Sequence, residues 1–199
     1  EGVIGAWVSA DGKQGALVEV NCETDFVARN EEFLTFAQSL AETAGKGGSL
    51  DDSALESRRQ ALVQKIGENI SIRRHKRIAA QGRLALYLHG VKIGVLVDYD
   101  GPEETGKDVA MHIAFSKPKF MSRSEVAPDV VSQERKIHEA RAKESGKPPE
   151  IVAKMVDGAM NKFLGEITLL GQPFVKDDKQ TVEKLLAARK AKLNGYAFL

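Results

Sequence analysis

The chain has 199 residues, 42% of them hydrophobic and 29% charged, with 29 Lys plus Arg against 28 Asp plus Glu. That is an ordinary globular mixture, enough for one large domain or two small ones, and a net charge of +1 argues neither for nor against a nucleic-acid partner. Cys22 is the only cysteine, which excludes an intrachain disulfide and a multi-cysteine zinc cluster.

In chain order, the first segment, GVIGAWVSADGKQGALVEV, reads as a β-hairpin turning at Asp11-Gly12, a pair suited to the positive φ of tight hairpin turns. Next comes CETDFVARNEEF and then an amphipathic helix with Phe33, Phe36, Ala37, Leu40 and Ala41 on one face. Phe26 stands at this strand-to-helix junction. One reading makes Thr24 an N-cap, puts Asp25 in the first turn and folds Phe26 back onto the core as a staple. The other points Phe26 outward as an anchor for a partner, since buried aromatics dominate interface energies.

AGKGGSLDD reads as a helix stop and linker. A helix from Ser53 to Ile66, with Leu55, Leu62, Val63 and Ile66 on one face, is ended by Gly67. NISIRRHKRIA is strand-like, with Ile70 and Ile72 on one face. A second hairpin, RLALYLHGVKIGVLVDY, turns near His89-Gly90. It is the most apolar stretch, but His89, Gly90, Lys92 and Gly94 interrupt it, so no membrane span is expected. No signal peptide is recognisable, and a reducing cytoplasm fits the single cysteine.

The second strands of the hairpins match, GALVEVN at 15–21 with GVLVDYD at 94–100, and each precedes a helix of similar texture, FAQSLA and VAMHIA. This predicts an α+β fold of duplicated small antiparallel sheets, each covered by helices. Residues 124–165 read as an inserted antiparallel helical hairpin (coiled coil). Pro128 opens a charged helix reaching about Ser145, and Pro149 opens a second reaching about Leu164. A helix near Thr181–Leu193 and a final strand complete the chain. The expected map is residues 1–81 as the first core copy, 82–123 with 166–199 as the second, and 124–165 as the insertion. Residue 1 is a Glu and the chain stops on an apolar strand-like run, so the natural protein is expected to be longer.

No catalytic constellation emerges. Gly101 to Lys107 matches G-x-x-x-x-G-K, but Asp108 stands where magnesium needs a hydroxyl, Glu103 and Glu104 repel phosphate, and Pro102 removes a donor. GKGGS at 45–49 follows a helix rather than a strand. His75, His89, His112 and His138 lack metal-ligand spacing. The basic run Arg73-Arg74-His75-Lys76-Arg77 would spread its charges over both faces of a strand with few aromatics nearby, so a solvated edge is expected. A binding protein without cofactor, metal or enzymatic activity fits better. A small RNA-binding protein using residues 73–77 is the alternative.

Several stretches, in order, resemble the translation elongation factor Ts family: VNCETDFVARNEEF, KIGENISIRR, YLHGVKIGVLV, VAMHIAFSKP, GAMNKFLGEITLLGQPFV and LNGYAFL. The chain resembles the core and helical hairpin of a bacterial member, without the family's N-terminal and C-terminal modules. The resemblance implies a guanine nucleotide exchange factor that binds elongation factor Tu in the cytoplasm and promotes GDP release, with no nucleotide, membrane or nucleic-acid binding of its own. It carries the family's contact positions onto Thr24, Asp25, Phe26, Ile66 and His89, with Phe26 inserted between helices of the partner. For the hairpin it leaves open self-association or contact with another domain of the partner.

Overall fold

The computed structural model describes residues 1–199. The chain divides into two compact units, residues 1–115 with 187–199, and residues 116–186. It is a mixed helical and antiparallel-sheet protein with three small sheets.

In the first unit, β1 (Gly2–Val8) and β2 (Gln14–Asn21) form the first hairpin, with Gly2 opposite Asn21 and Val8 opposite Gly15. Its turn is fixed by the Ser9 hydroxyl donating to the Asp11 carboxylate, which also accepts the Lys13 N–H, and by Gly12 at φ 73°. Three helices follow: α1 (Asp25–Ala28), α2 (Glu31–Gly45) and α3 (Ser53–Ile66). Gly67, at φ 83°, ends α3 by donating its N–H to the Val63 carbonyl, as the sequence predicts. β3 (Ser71–Ala79) then pairs with β2, giving a sheet of order β1-β2-β3.

The apolar stripe of α2 is the core of this region. Phe33, Phe36 and Leu40 are buried against Val3, Ala16, Val18 and Val20 of the sheet, each worth about 1.5–3 kcal/mol in area removed from water. The helix lies so close to β1 that a Cβ at Gly5 would sit 2.5 Å from the Ala37 carbonyl oxygen.

β4 (Arg83–His89) and β5 (Ile93–Asp100) form the second hairpin, and α4 (Glu103–Ser116) follows. Gly106 of α4 lies against the Tyr99 ring, which leaves no room for a side chain there.

The second unit begins beyond α4. A single 3-10 turn (Arg123–Glu125) leads to α5 (Pro128–Lys143) and α6 (Pro149–Ile167), each with proline in its first turn. Ala142, Val156 and Met160 form a small buried cluster with Val131, Val152 and Phe163 against it. Arg123 bonds to Asn161 and Arg135 to Asp157. The segments flanking these helices meet in a parallel bridge between Phe120 and Thr168. Beyond it, β6 (Pro173–Phe174) and β7 (Asp177–Thr181) form a two-stranded ribbon that sequence periodicity is too short to reveal.

α7 (Val182–Ala188) is shorter than the helix expected over Thr181–Leu193. Lys190 adopts a positive φ of 52°, which stops the helix, and Arg189 is drawn to the buried Asp108 carboxylate at 2.8 Å. The chain then becomes β8 (Lys192–Phe198), which pairs with β5 to give a second sheet of order β4-β5-β8.

Within the first unit the two three-stranded sheets meet face to face. Ile4, Ala6 and Leu17 of one join Leu96, Ala197 and Leu199 at the other in one buried cluster. Alternation along β2 explains this, since Val18 and Val20 point to α2 while Leu17 points to the other sheet. Both sheets also carry a register shift against their third strand, between Glu19 and Val20 in one and between Asp98 and Tyr99 in the other. These are equivalent positions when GALVEVN is laid on GVLVDYD.

Candidate functional site

The segment between β2 and α2 is built as two helix starts in succession. Thr24, in extended conformation, caps α1 by accepting the Val27 N–H on its hydroxyl oxygen. The helix lasts one turn. The Arg29 N–H turns back to the Phe26 carbonyl and the Asn30 N–H to the Val27 carbonyl. Asn30 then caps α2, its side-chain oxygen accepting the Phe33 N–H at 3.1 Å.

In this single turn Val27 and Ala28 take the inward positions, at 8% and 5% exposure. Successive helical residues are about 100° apart, so Phe26 is rotated away from the core and is 82% exposed. The staple reading therefore fails at Phe26, although Thr24 and Asp25 take the cap and first-turn positions that it assigned. Asp25 pairs with Arg29 at 3.8 Å, an exposed contact of little energetic weight.

The corner before α1 is braced from across the chain. The Glu68 carboxylate accepts the N–H groups of Glu23 and Thr24 at 3.0 and 2.9 Å, and the Thr24 hydroxyl donates to its other oxygen. The Glu23 carboxylate in turn accepts the Asn69 N–H at 3.1 Å. The Thr24 hydroxyl bond, with the two backbone bonds, holds the Glu68 carboxyl below its usual range. Ile66, two residues earlier, packs half-buried against the core that α2 covers.

His89 ends β4 and is exposed at the second hairpin's turn. Its ring meets Phe115 edge-on at 5.2 Å between centroids, with Tyr87 at 6.5 Å from both. Contacts with the start of β1 bring this turn to the end of the first hairpin that leads to Thr24. The Ile4 N–H bonds to the Val91 carbonyl at 2.6 Å, the Cys22 N–H to the Glu1 carbonyl at 3.1 Å, and Lys92 pairs with Glu1. Glu23 and Thr24 are thus joined directly to the turn after Ile66, with Asp25 and Phe26 next in the chain, and the His89 turn is tied to the same end through β1. Sequence reasoning missed Glu68, although it lies in KIGENI, because nothing local signals a contact back to residue 24. It also missed Phe115, which is 55% exposed on a helix whose pattern suggested only a buried face.

The other candidates fall into structural roles. α4 begins at Glu103, inside the phosphate-loop lookalike, with Lys107 paired to Glu103 and Asp108 to Arg189. The basic run lies on β3, an edge strand, where Arg73 and Arg74 pair with Glu19 and the Arg77 guanidinium donates to the Gly45 carbonyl. His112 is fully buried. The Cys22 thiol is buried, donates to the Thr24 carbonyl and has its pKa raised chiefly by that burial. No group of three or more His, Cys, Asp or Glu side chains is arranged to hold a metal ion, and no helix is long and apolar enough to cross a membrane.

Fold and site together define an α+β protein that presents an aromatic ring on a braced surface turn. A family model described as elongation factor TS matches residues 23–199. Elongation factor Ts of Nitrosospira multiformis is 56% identical over 98% of this chain and 70% of its own length. The corresponding proteins of Nitrosomonas eutropha and Bordetella petrii are 54% and 53% identical, over 98% of this chain and 71% and 70% of theirs. The chain belongs to the elongation factor Ts family, and its role is in translation elongation.

Proposed function

We propose that this chain is a guanine nucleotide exchange factor that binds elongation factor Tu and promotes GDP release, with Thr24, Asp25, Phe26, Ile66 and His89 as contact residues. The observation that carries the reading is the 82% exposure of Phe26 on a capped, braced turn. A soluble fold gains nothing from an exposed phenyl ring, whereas a partner that buries it gains roughly 2–3 kcal/mol. At about 1.4 kcal/mol per decade that is near two orders of magnitude. Exchange needs the factor to favour the nucleotide-free partner, and linkage then weakens nucleotide binding by the same factor. Ile66 and His89 add to the anchor from the same end of the first unit. Such a factor does no covalent chemistry, carries no cofactor and acts in the cytoplasm.

The domain organisation follows the same reading. Residues 1–81 and 82–123 with 166–199 are two copies of a sheet-and-helix unit, a duplication supported by the register shift recurring at equivalent strand positions. Residues 124–165 are an inserted antiparallel helical hairpin (coiled coil), supported by the shared α5–α6 cluster, and serve self-association or contact with a further domain of the partner.

The test is release of labelled GDP from elongation factor Tu. The chain should accelerate it, and Phe26→Ala should lose most of the acceleration with an unchanged melting temperature. Normal exchange by a destabilised Phe26→Ala would overturn the reading.

A further inference from the structure

We propose that Glu68 is a positioning residue for Phe26: its carboxylate, delivered by the turn after α3, holds the corner from which the ring is presented. The inference rests on the docking reading of Phe26 and extends it to a residue that need not touch the partner.

A helix of one turn cannot hold itself. Its first N–H groups have no intrahelical acceptor, and forming a single turn fixes several dihedrals for one bond. α1 is therefore held at two places. On its inward side Val27 and Ala28 are buried. On its N-terminal side the Glu68 carboxylate takes three donors at once, the Glu23 and Thr24 N–H groups and the Thr24 hydroxyl. Bonds to an ionised acceptor are the strong ones.

The three bonds do different things. The two backbone bonds fix the peptide planes entering the helix. The hydroxyl bond orients Thr24 so that its oxygen faces inward to accept the Val27 N–H. Carboxylate, hydroxyl and amide form one chain that links Glu68 to both ends of the turn carrying Phe26. The reciprocal bond, donated by the Asn69 N–H to the Glu23 carboxylate, adds a second link between the two loops. Without Glu68 the corner keeps its buried side chains but loses its dihedral restraint, and docking must then order it at a cost.

The experiment measures labelled GDP release from elongation factor Tu with Glu68→Ala, Glu68→Gln, Phe26→Ala and the Glu68→Ala/Phe26→Ala double variant. Glu68→Ala should slow exchange about tenfold, the scale of a lost charge-assisted restraint. Glu68→Gln, which keeps the size and one good acceptor, should fall between it and the wild type. In the Phe26→Ala background Glu68→Ala should add nothing, because it acts only through the ring. In the free protein the Glu23, Thr24 and Val27 amides should exchange with solvent faster in Glu68→Ala, with the global unfolding midpoint unmoved.

Wild-type exchange by Glu68→Ala, or losses that multiply in the double variant, would overturn the positioning role while leaving Phe26 as the anchor. If Phe26→Ala itself exchanges normally, the docking reading falls, and the functional half of this proposal falls with it. Unchanged protection of the three amides would remove the structural half independently.

Discussion

The two three-stranded sheets of the first unit share strand order and the position of their register shift, yet enter their helices differently. Between β5 and α4 lie only Gly101 and Pro102. Between β2 and α2 lie residues 22–30, with their own helical turn, two caps and an exposed phenyl ring. The short junction demonstrates that a strand of this type can pass into a covering helix almost directly. The long one adds a turn that buries Val27 and Ala28 in the core and leaves Phe26 exposed. The sheets differ again at the shift itself. Glu19 meets Arg73 and Arg74 at the surface, while Asp98 is buried and accepts the Gln81 and Gly82 N–H groups at 2.9 Å. One carboxylate pairs side chains; the other closes the backbone entering β4.

The largest expected effect separates two phenylalanines in and beside the long junction. Phe33→Ala empties a fully buried site and should cost about 3–5 kcal/mol in urea unfolding. Phe26→Ala should leave the urea midpoint unchanged and act only on exchange. Equal destabilisation by the two would erase the distinction between fold and surface at this junction.

The carboxylates at the register shifts come next. Asp98→Ala strands two backbone donors, one of them buried, and should cost about 2–4 kcal/mol. Glu19→Ala removes partly exposed ion pairs and should cost at most about 1 kcal/mol. Thermal denaturation of both variants checks the order, and equal losses would mean that the two sheets are braced alike.

A double-mutant cycle of Phe26→Ala and His89→Ala on GDP release tests whether the long junction and the second hairpin's turn serve one surface. A coupling energy of about 0.5–2 kcal/mol is expected if both engage one element of the partner. Strictly additive losses would separate them into two contacts.

The smallest effect is a pH dependence confined to the long junction. Glu68 is held below its ordinary value of 4.5 first by the Thr24 hydroxyl, so its brace is complete above that pH. It is lost as the pH falls through the depressed value, because the unfolded corner binds the proton more readily. The Glu23 and Thr24 amide resonances should shift together only at acid pH in a nuclear magnetic resonance titration. Glu68→Gln should abolish that shift, and its persistence would assign it to another group.

Much of this was legible in the sequence because it depends on neighbours. Gly12 and Gly67 announce backbone conformations that other residues resist, Pro128 and Pro149 announce helix starts, and the spacing of Phe33, Phe36 and Leu40 announces a buried face. The motif around Phe26 was equally visible, but local residues left the direction of its ring open between core and solvent, and only the family resemblance pointed it outward. That direction follows from a helix that stops after one turn, and the stop depends on Asn30 capping the next helix rather than Thr24 capping a longer one. The end of α7 was hidden for a related reason. Residues 189–193 have helical propensity, but Arg189 is claimed by Asp108 and Lys192 by pairing with β5, both distant in sequence. Glu68 is the clearest case: its partners lie some 45 residues away. Local dihedral preference and apolar periodicity are properties of the chain. Which way an anchor points, and what holds it there, are set by contacts that exist only after the chain has closed on itself.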